Sequence, residues 1–213
     1  MVSKFRDNVS FEIAKYSSLI ARAPRSFQAR YGYGRLLLSL GEFQRAAEEF
    51  QEAIRIHKGH QMAHHGLAQV LNELGKIAEQ EGQRNDADRR FAQAEQAFRR
   101  AIHWAELNNQ TRGQTRGQTR GIIYFDVGWF YIDRRRYKDA IEAFEVAMSE
   151  DCEFFGNYWG IGRAKMEQGH PEEAISYLNI ALDKAPEDLK PPASEEIPEL
   201  LKRCQEIFGG KLR

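Results

Sequence analysis

Four histidines lie close together in the sequence and are the residues with the clearest capacity for chemistry. They are His57, His60, His64 and His65. His60 and His64 are four positions apart, so on one helix their imidazoles would share a face and could bind zinc. No cysteine lies nearby, and His64 falls in a column of aromatic residues that recurs along the chain. We therefore interpret the histidines as packing and surface residues and predict no metal site.

The chain lacks the short motifs of common enzymes. It has no glycine-rich phosphate loop, no Gly-x-Ser-x-Gly and no His-Glu-x-x-His. Each of these motifs places a nucleophile, a phosphate-binding loop or a metal ligand at a defined position, and the sequence contains none of the three motifs. The sequence therefore predicts a protein with no enzymatic activity and no cofactor.

Charge and composition limit the classes of partner that the sequence favours. Lysine plus arginine and aspartate plus glutamate each total 31, so no net field favours nucleic acid or an anionic membrane. No segment approaches the roughly 18 apolar residues of a membrane span, and the N-terminal residues lack the apolar core of a signal peptide. Cys152 and Cys204 are far apart in sequence. Reduced thiols in a cytoplasmic protein are the expectation.

A repeated pattern organises the chain. In the stretch from Phe155 to Asp188 the pattern consists of Tyr158, Ile161-Gly162, Ala174, Leu178, Ala181 and Pro186. It returns 34 residues earlier from Tyr124 to Ala147, and again within Phe27–His60. This succession resembles the tetratricopeptide repeat, a unit of about 34 residues made of two antiparallel helices.

The resemblance implies an all-α fold: a right-handed superhelical solenoid of helix-turn-helix repeats with capping helices at both ends. One helix pair cannot bury its apolar face alone, so neighbouring repeats must stack. The expected divisions are a degenerate N-terminal half-repeat and cap over 1–26, repeats over 27–60, 61–107, 122–154 and 155–188, a linker over 108–121, and a capping helix and tail over 189–213.

The second repeat is longer than the others. Ala94 follows Ala46 by 48 residues where a regular repeat would give 34, so about 14 residues are inserted over about 76–90. The inserted residues are charged and favour helix, which predicts an elongated hairpin that turns near Gly82. The tip of this hairpin is either a place for a partner to bind or a solvated extension.

The linker from Gln110 to Gly121 is Gln-Thr-Arg-Gly written three times. It has no apolar residue, and we expect an exposed loop that contributes nothing to the core. Its arginines, Arg112, Arg116 and Arg120, raise an alternative function in which an RNA-associated module contacts phosphates. Because no aromatic residues are interleaved with them, nucleic acid is an unlikely partner.

The resemblance also implies that the first helix of each repeat lines a concave face that binds ligands. One stripe of each first helix at helical spacing gives the candidate partner-binding residues. They are Tyr31, Arg35, His65, Gln69, Phe125, Trp129, Trp159 and Arg163. Aromatic residues and arginine dominate binding hot spots. The expected function is a non-catalytic adaptor or assembly factor that holds a peptide or amphipathic helix of a partner protein. Burial of this face by the chain itself, or in a homodimer, is the other reading.

Overall fold

The computed structural model describes residues 2–112, 117–150 and 154–211, with side chains for 9–109, 119–150 and 154–207. All regular secondary structure in these residues is α-helical. The expected all-α helical repeat fold is confirmed. The helices are α1 (Val2–Arg22), α2 (Phe27–Ser39), α3 (Phe43–Ile56), α4 (Gln61–Gln80), α5 (Arg84–Arg112), α6 (Gly117–Asp133), α7 (Tyr137–Ser149), α8 (Phe155–Glu167), α9 (Pro171–Lys184) and α10 (Ala193–Lys211).

The chain forms two compact units, Met1–Thr111 and Arg112–Arg213. In the first unit α2 packs on α3, α3 packs on α4, and α1 lies against α2. Tyr16 of α1 stacks on Tyr33 of α2 with ring centroids 5.9 Å apart. Ile13 and Ile20 of the same helix are partly buried against the core that contains Tyr33. The N-terminal helix therefore covers one side of the first helix pair.

A phenylalanine in the second helix of a pair fills the centre of each unit. Phe50 is fully buried in the first unit and Phe144 in the second. Glycines make room for these rings: a β-carbon at Gly66 would lie 2.5 Å from the Phe50 ring, and one at Gly160 would lie 2.3 Å from Phe144. Since real β-carbons do not approach so closely, only glycine lets the neighbouring helix reach this distance.

The second helix pair of the first unit is longer than the first. Helix α4 has 20 residues and α2 has 13. The chain turns between α4 and α5 at Gly82, whose φ of +77° lies in the left-handed region that glycine tolerates best. Phe91 of α5 lies against Gly75 of α4, where a β-carbon would come within 2.5 Å of its ring.

The second unit ends in a helix that completes its core. Helix α10 packs on α9 and α8. Its buried residues Ile197, Leu200 and Cys204 join a cluster that includes Leu178 of α9.

The turn between α6 and α7 has Arg135 at φ +56° where the turn between α8 and α9 has Gly169 at φ +82°. A left-handed non-glycine residue costs roughly 1–2 kcal/mol, so this turn carries strain that its counterpart does not.

The Gln-Thr-Arg-Gly segment differs from the expected loop. Helix α5 continues to Arg112 and α6 begins at Gly117, so helix enters the segment from both sides, and residues 113–116 lie outside those described. Glutamine and arginine are good helix formers, and a helix already packed at one end extends easily. Arg120 also forms an ion pair with Glu150, with Nη1 and Oε1 2.5 Å apart, which fixes the first turns of α6 to the end of α7.

Candidate functional site

A cavity of about 360 Å³ lies between α2 and α4 of the first unit. It contains all four of the candidate binding residues that the sequence places in this unit. Its lining consists of Tyr31, Arg35, Leu38, Ser39, Phe50, Met62, His65, Gly66 and Gln69. Ligand pockets in proteins are typically cavities of about 300–1,000 Å³ with apolar walls and a few polar groups, and this cavity meets that description.

The inner part of the cavity is aromatic. Tyr31 and Phe50 have ring centroids 6.0 Å apart, and the Tyr31 ring is half-buried. His65 is only 3% exposed, and its ring lies 6.1 Å from that of Phe98 on α5. Gly66 has no β-carbon, so its backbone packs directly on the Phe50 ring, which is fully buried. Tyr31, Leu38 and Met62 are only partly buried, so they are the apolar lining residues that a ligand can contact.

The mouth of the cavity is positive. Arg35 is exposed, and its guanidinium carbon lies 6.0 Å from the Tyr31 ring centroid. Burial raises the pKa of the Tyr31 hydroxyl, and the positive charge of Arg35 partly offsets this rise. No carboxylate of the described residues forms an ion pair with Arg35. A ligand carboxylate could therefore pair with this guanidinium without displacing another carboxylate.

Five lining residues are not among the binding residues predicted from the sequence: Leu38, Ser39, Phe50, Met62 and Gly66. Ser39 lies four residues after Arg35, and Met62 lies three residues before His65. Both continue the helical stripes that identified the other residues, so extending those stripes by one turn finds them. Phe50 lies on the second helix of the pair, and only the packing of α3 between α2 and α4 brings it to the cavity.

Histidines and aromatic rings form a cluster behind Tyr31. The His60 ring lies 4.4 Å from Phe27, 5.3 Å from Tyr31 and 5.6 Å from His57, measured between centroids. The buried Nδ1 of His60 has no hydrogen-bond partner among the described residues. Burial lowers the pKa of His60 below its usual value, and the neighbouring His57 adds to this effect. The cluster therefore favours neutral His60.

The spacing of these histidines in the sequence is compatible with a zinc site. In the structure the His64 Nε2 lies 2.8 Å from the carbonyl oxygen of Lys58, and His60 packs among the rings described above. Within the described part of the chain, no three histidine, cysteine, aspartate or glutamate side chains are grouped as metal ligands.

The second unit holds the other four predicted residues in a different state. Trp129 of α6 and Trp159 of α8 pack together with ring centroids 4.4 Å apart, and Trp159 is only 9% exposed. Phe125 lies 6.4 Å from Trp129. Arg163 forms an ion pair with Glu196 of α10 at 3.1 Å between Nη1 and Oε1. The indoles thus contact each other, and the arginine already has a carboxylate partner.

The arginines of the repeated segment are only partly described. The Arg120 guanidinium pairs with Glu150 and lies 5.4 Å from the Tyr124 ring centroid. The side chain of Arg112 and all of Arg116 lie outside the described residues. The one described arginine of the three is therefore engaged within its own unit.

Known proteins share both the motif and the architecture. Residues 13–61 match a family model described as tetratricopeptide repeat. A thermophilic tetratricopeptide-repeat protein of Thermus thermophilus aligns over 97% of this chain and 94% of its own, with a TM-score of 0.65 and 16% identity, so the two chains share a fold.

Other tetratricopeptide-like structures are similar in fold. MamA aligns over 85% of this chain and 91% of its own at 22% identity, with a TM-score of 0.64. PilW, a type IV pilus biogenesis factor, aligns over 98% of this chain and 82% of its own at 16% identity, with a TM-score of 0.66. No curated protein has significant sequence similarity to the chain. Within the described residues, no helix is both long enough and apolar enough to cross a membrane.

Trp159 is a core residue by its burial, and its truncation should reveal this. We expect Trp159→Ala to lower the free energy of unfolding by about 3–5 kcal/mol, because it leaves a cavity among packed rings. Urea denaturation followed by circular dichroism measures the change. Phe154→Ala is the control, since Phe154 is 48% exposed, and should cost less than about 1.5 kcal/mol. Equal effects of the two substitutions would contradict a packed Trp159.

The buried His60 predicts a loss of stability in acid. In the unfolded chain a histidine has its usual pKa of about 6.5, and in the folded chain the pKa of His60 is lower. The unfolded state therefore binds the proton more tightly, and the stabilisation by neutral His60 is complete above about pH 6.5 and is lost as the pH falls through the folded-state pKa.

We expect the melting temperature of His60→Phe to fall less than that of the wild type between about pH 7.5 and about pH 5.5. Phenylalanine is a suitable replacement because Phe154 holds the corresponding position in the second unit. His103→Asn, at an exposed histidine, should keep the wild-type dependence. An identical acid loss in His60→Phe and wild type would show that His60 is not the responsible group.

Proposed function

We propose that the chain is a non-catalytic protein-interaction scaffold that binds a segment of a partner protein in the cavity between α2 and α4. Proteins built from stacked helical repeats commonly use the face formed by successive first helices for binding. The observation that supports this site is the convergence of Tyr31, Arg35, His65 and Gln69 on one cavity. The partner can be an extended peptide or one face of an amphipathic helix.

The charge of Arg35 indicates which kind of partner segment the cavity favours. Arg35 lies at the mouth of the cavity without an ion-pair partner among the described residues. An arginine on an aromatic ring suits a carboxylate, because its planar donors match both oxygens. The favoured segment therefore carries an apolar side chain for the inner wall and an acidic side chain close to it.

The second-unit residues Phe125, Trp129, Trp159 and Arg163 remain a predicted part of the binding face. Trp129 is half-buried, so one part of its indole is available to a ligand, whereas Trp159 is enclosed. We propose that these four residues contribute less to partner binding than the first-unit cavity does. A homodimer that buries the groove, and a cytoplasmic location, also remain predictions.

The RNA-associated alternative has less support. Phosphate binding would require free arginines, and the described Arg120 is paired with Glu150. Releasing it would cost that ion pair, which is half-buried and short.

A peptide selection tests the proposed function. A random-peptide phage library is selected on the immobilised full chain, and the affinities of the recovered peptides are measured by fluorescence anisotropy. We expect the peptides to share an apolar and an acidic residue, and Arg35→Glu to weaken them about tenfold to a hundredfold through loss of a charge-assisted hydrogen bond. Arg25→Glu is the matched control, because Arg25 is exposed and does not line the cavity.

Unchanged affinities in Arg35→Glu would contradict the proposal. A chain that dimerises, with the dimer broken by Arg35→Glu and no peptide selected, would replace the foreign partner with a second copy. Sedimentation velocity of the same two variants distinguishes these results.

A further inference from the structure

The two units repeat one arrangement at an interval of 94 residues. Phe125 lies 94 positions after Tyr31, and Phe144 lies 94 positions after Phe50. The ring centroids of Tyr31 and Phe50 are 6.0 Å apart, and those of Phe125 and Phe144 are 6.2 Å apart. The backbone therefore holds both aromatic pairs in the same geometry.

A second set of contacts confirms the correspondence. The Tyr31–His60 centroid distance is 5.3 Å, and the equivalent Phe125–Phe154 distance is 5.5 Å. Gly66 and its counterpart Gly160 approach the central phenylalanine ring equally closely. The side chains that differ between the units can therefore be compared position by position.

Two of the positions at which the units differ lie on the helices that line the cavity, one on α2 and one on α4. The first unit has Arg35 and His65, where the second has Trp129 and Trp159. In the second unit the indoles pack together at 4.4 Å, and Trp129 lies 5.7 Å from Phe144. In the first unit the corresponding space adjoins Phe50 and is the cavity of about 360 Å³. The same arrangement of helices thus encloses aromatic side chains in the second unit and leaves an open cavity in the first.

We infer that the first-unit cavity accepts an aromatic side chain of the partner, a tryptophan above all, next to a carboxylate that pairs with Arg35. This inference rests on the proposed function and names the residue that anchors the partner. The lining supports it, since the Tyr31 ring is partly exposed and Met62 offers a thioether, which packs well on aromatic rings. Arg35 can contact the incoming ring by its guanidinium plane and the carboxylate by its N–H groups.

Small probes separate the two parts of this anchor. The uniformly ¹⁵N-labelled full chain is titrated with N-acetyl-L-tryptophan, N-acetyl-L-leucine and N-acetyl-L-tryptophanamide, and amide shifts are followed by NMR. We expect N-acetyl-L-tryptophan to shift resonances of α2 and α4. The leucine compound should bind about threefold to tenfold more weakly, because aromatic pairing adds to simple burial. The amide, which lacks the carboxylate, should bind about tenfold more weakly.

A filling variant provides the structural control. Arg35→Trp gives the first unit the residue that the second has at this position, and the substitution is at an exposed side chain. We expect it to retain the helical circular dichroism and to abolish the shifts caused by N-acetyl-L-tryptophan. Retention of these shifts in a folded Arg35→Trp would overturn the inference. If the variant fails to fold, the three probes on the wild-type chain still decide the matter.

The remaining outcomes separate the inference from the proposed function. Equal binding of the tryptophan and leucine compounds, or no shift with either at about 20 mM, overturns the aromatic anchor. In that case, peptides from the phage selection that still depend on Arg35 leave the proposed function intact. Peptides that bind regardless of Arg35 overturn the proposed function, and the inference with it.

Discussion

Close contact between a phenylalanine and a glycine on the neighbouring helix is the constraint on which both units depend. A β-carbon at Gly66 would meet Phe50 at 2.5 Å, and one at Gly160 would meet Phe144 at 2.3 Å. Because the ring fits only against a bare backbone, the positions of three successive helices are fixed relative to one another. The cavity lies beside this contact, since both Phe50 and Gly66 line it.

The two units share this helix packing but have different side chains at the equivalent positions. In the second unit Trp129 and Trp159 complete the packing, and α10 adds Glu196 as the partner of Arg163. In the first unit Arg35 and His65 leave a volume with aromatic walls and a positive mouth. The proposed function assigns binding to the first unit, while the second unit fills the equivalent positions with its own indoles.

The sequence predicted the helices, and four of the binding residues that it proposed line the first-unit cavity, while their role in binding stays a prediction. The 34-residue pattern indicates helix pairs because small and aromatic residues must alternate in fixed positions for the pairs to stack. Helical spacing placed Tyr31, Arg35, His65 and Gln69 on facing stripes, and these residues line one cavity. Local rules suffice here because each stripe lies on a single helix.

Other features required tertiary structure. The contact between Trp129 and Trp159 depends on side-chain packing between helices 30 residues apart, and the pairing of Arg163 with Glu196 joins α8 to α10. Composition also indicated a loop where α5 and α6 extend into the repeated segment. Glutamine and arginine favour helix, and a helix extends easily from turns that are already formed.

The proposed partner segment lies between α2 and α4. Intermolecular nuclear Overhauser effects between a selected peptide and the ¹³C-labelled chain would locate it. We expect contacts from an aromatic ring of the peptide to Tyr31, Met62 and Leu38, which line the cavity. Contacts confined to the second unit, at Trp129 or Phe154, with none to these three residues, would contradict it.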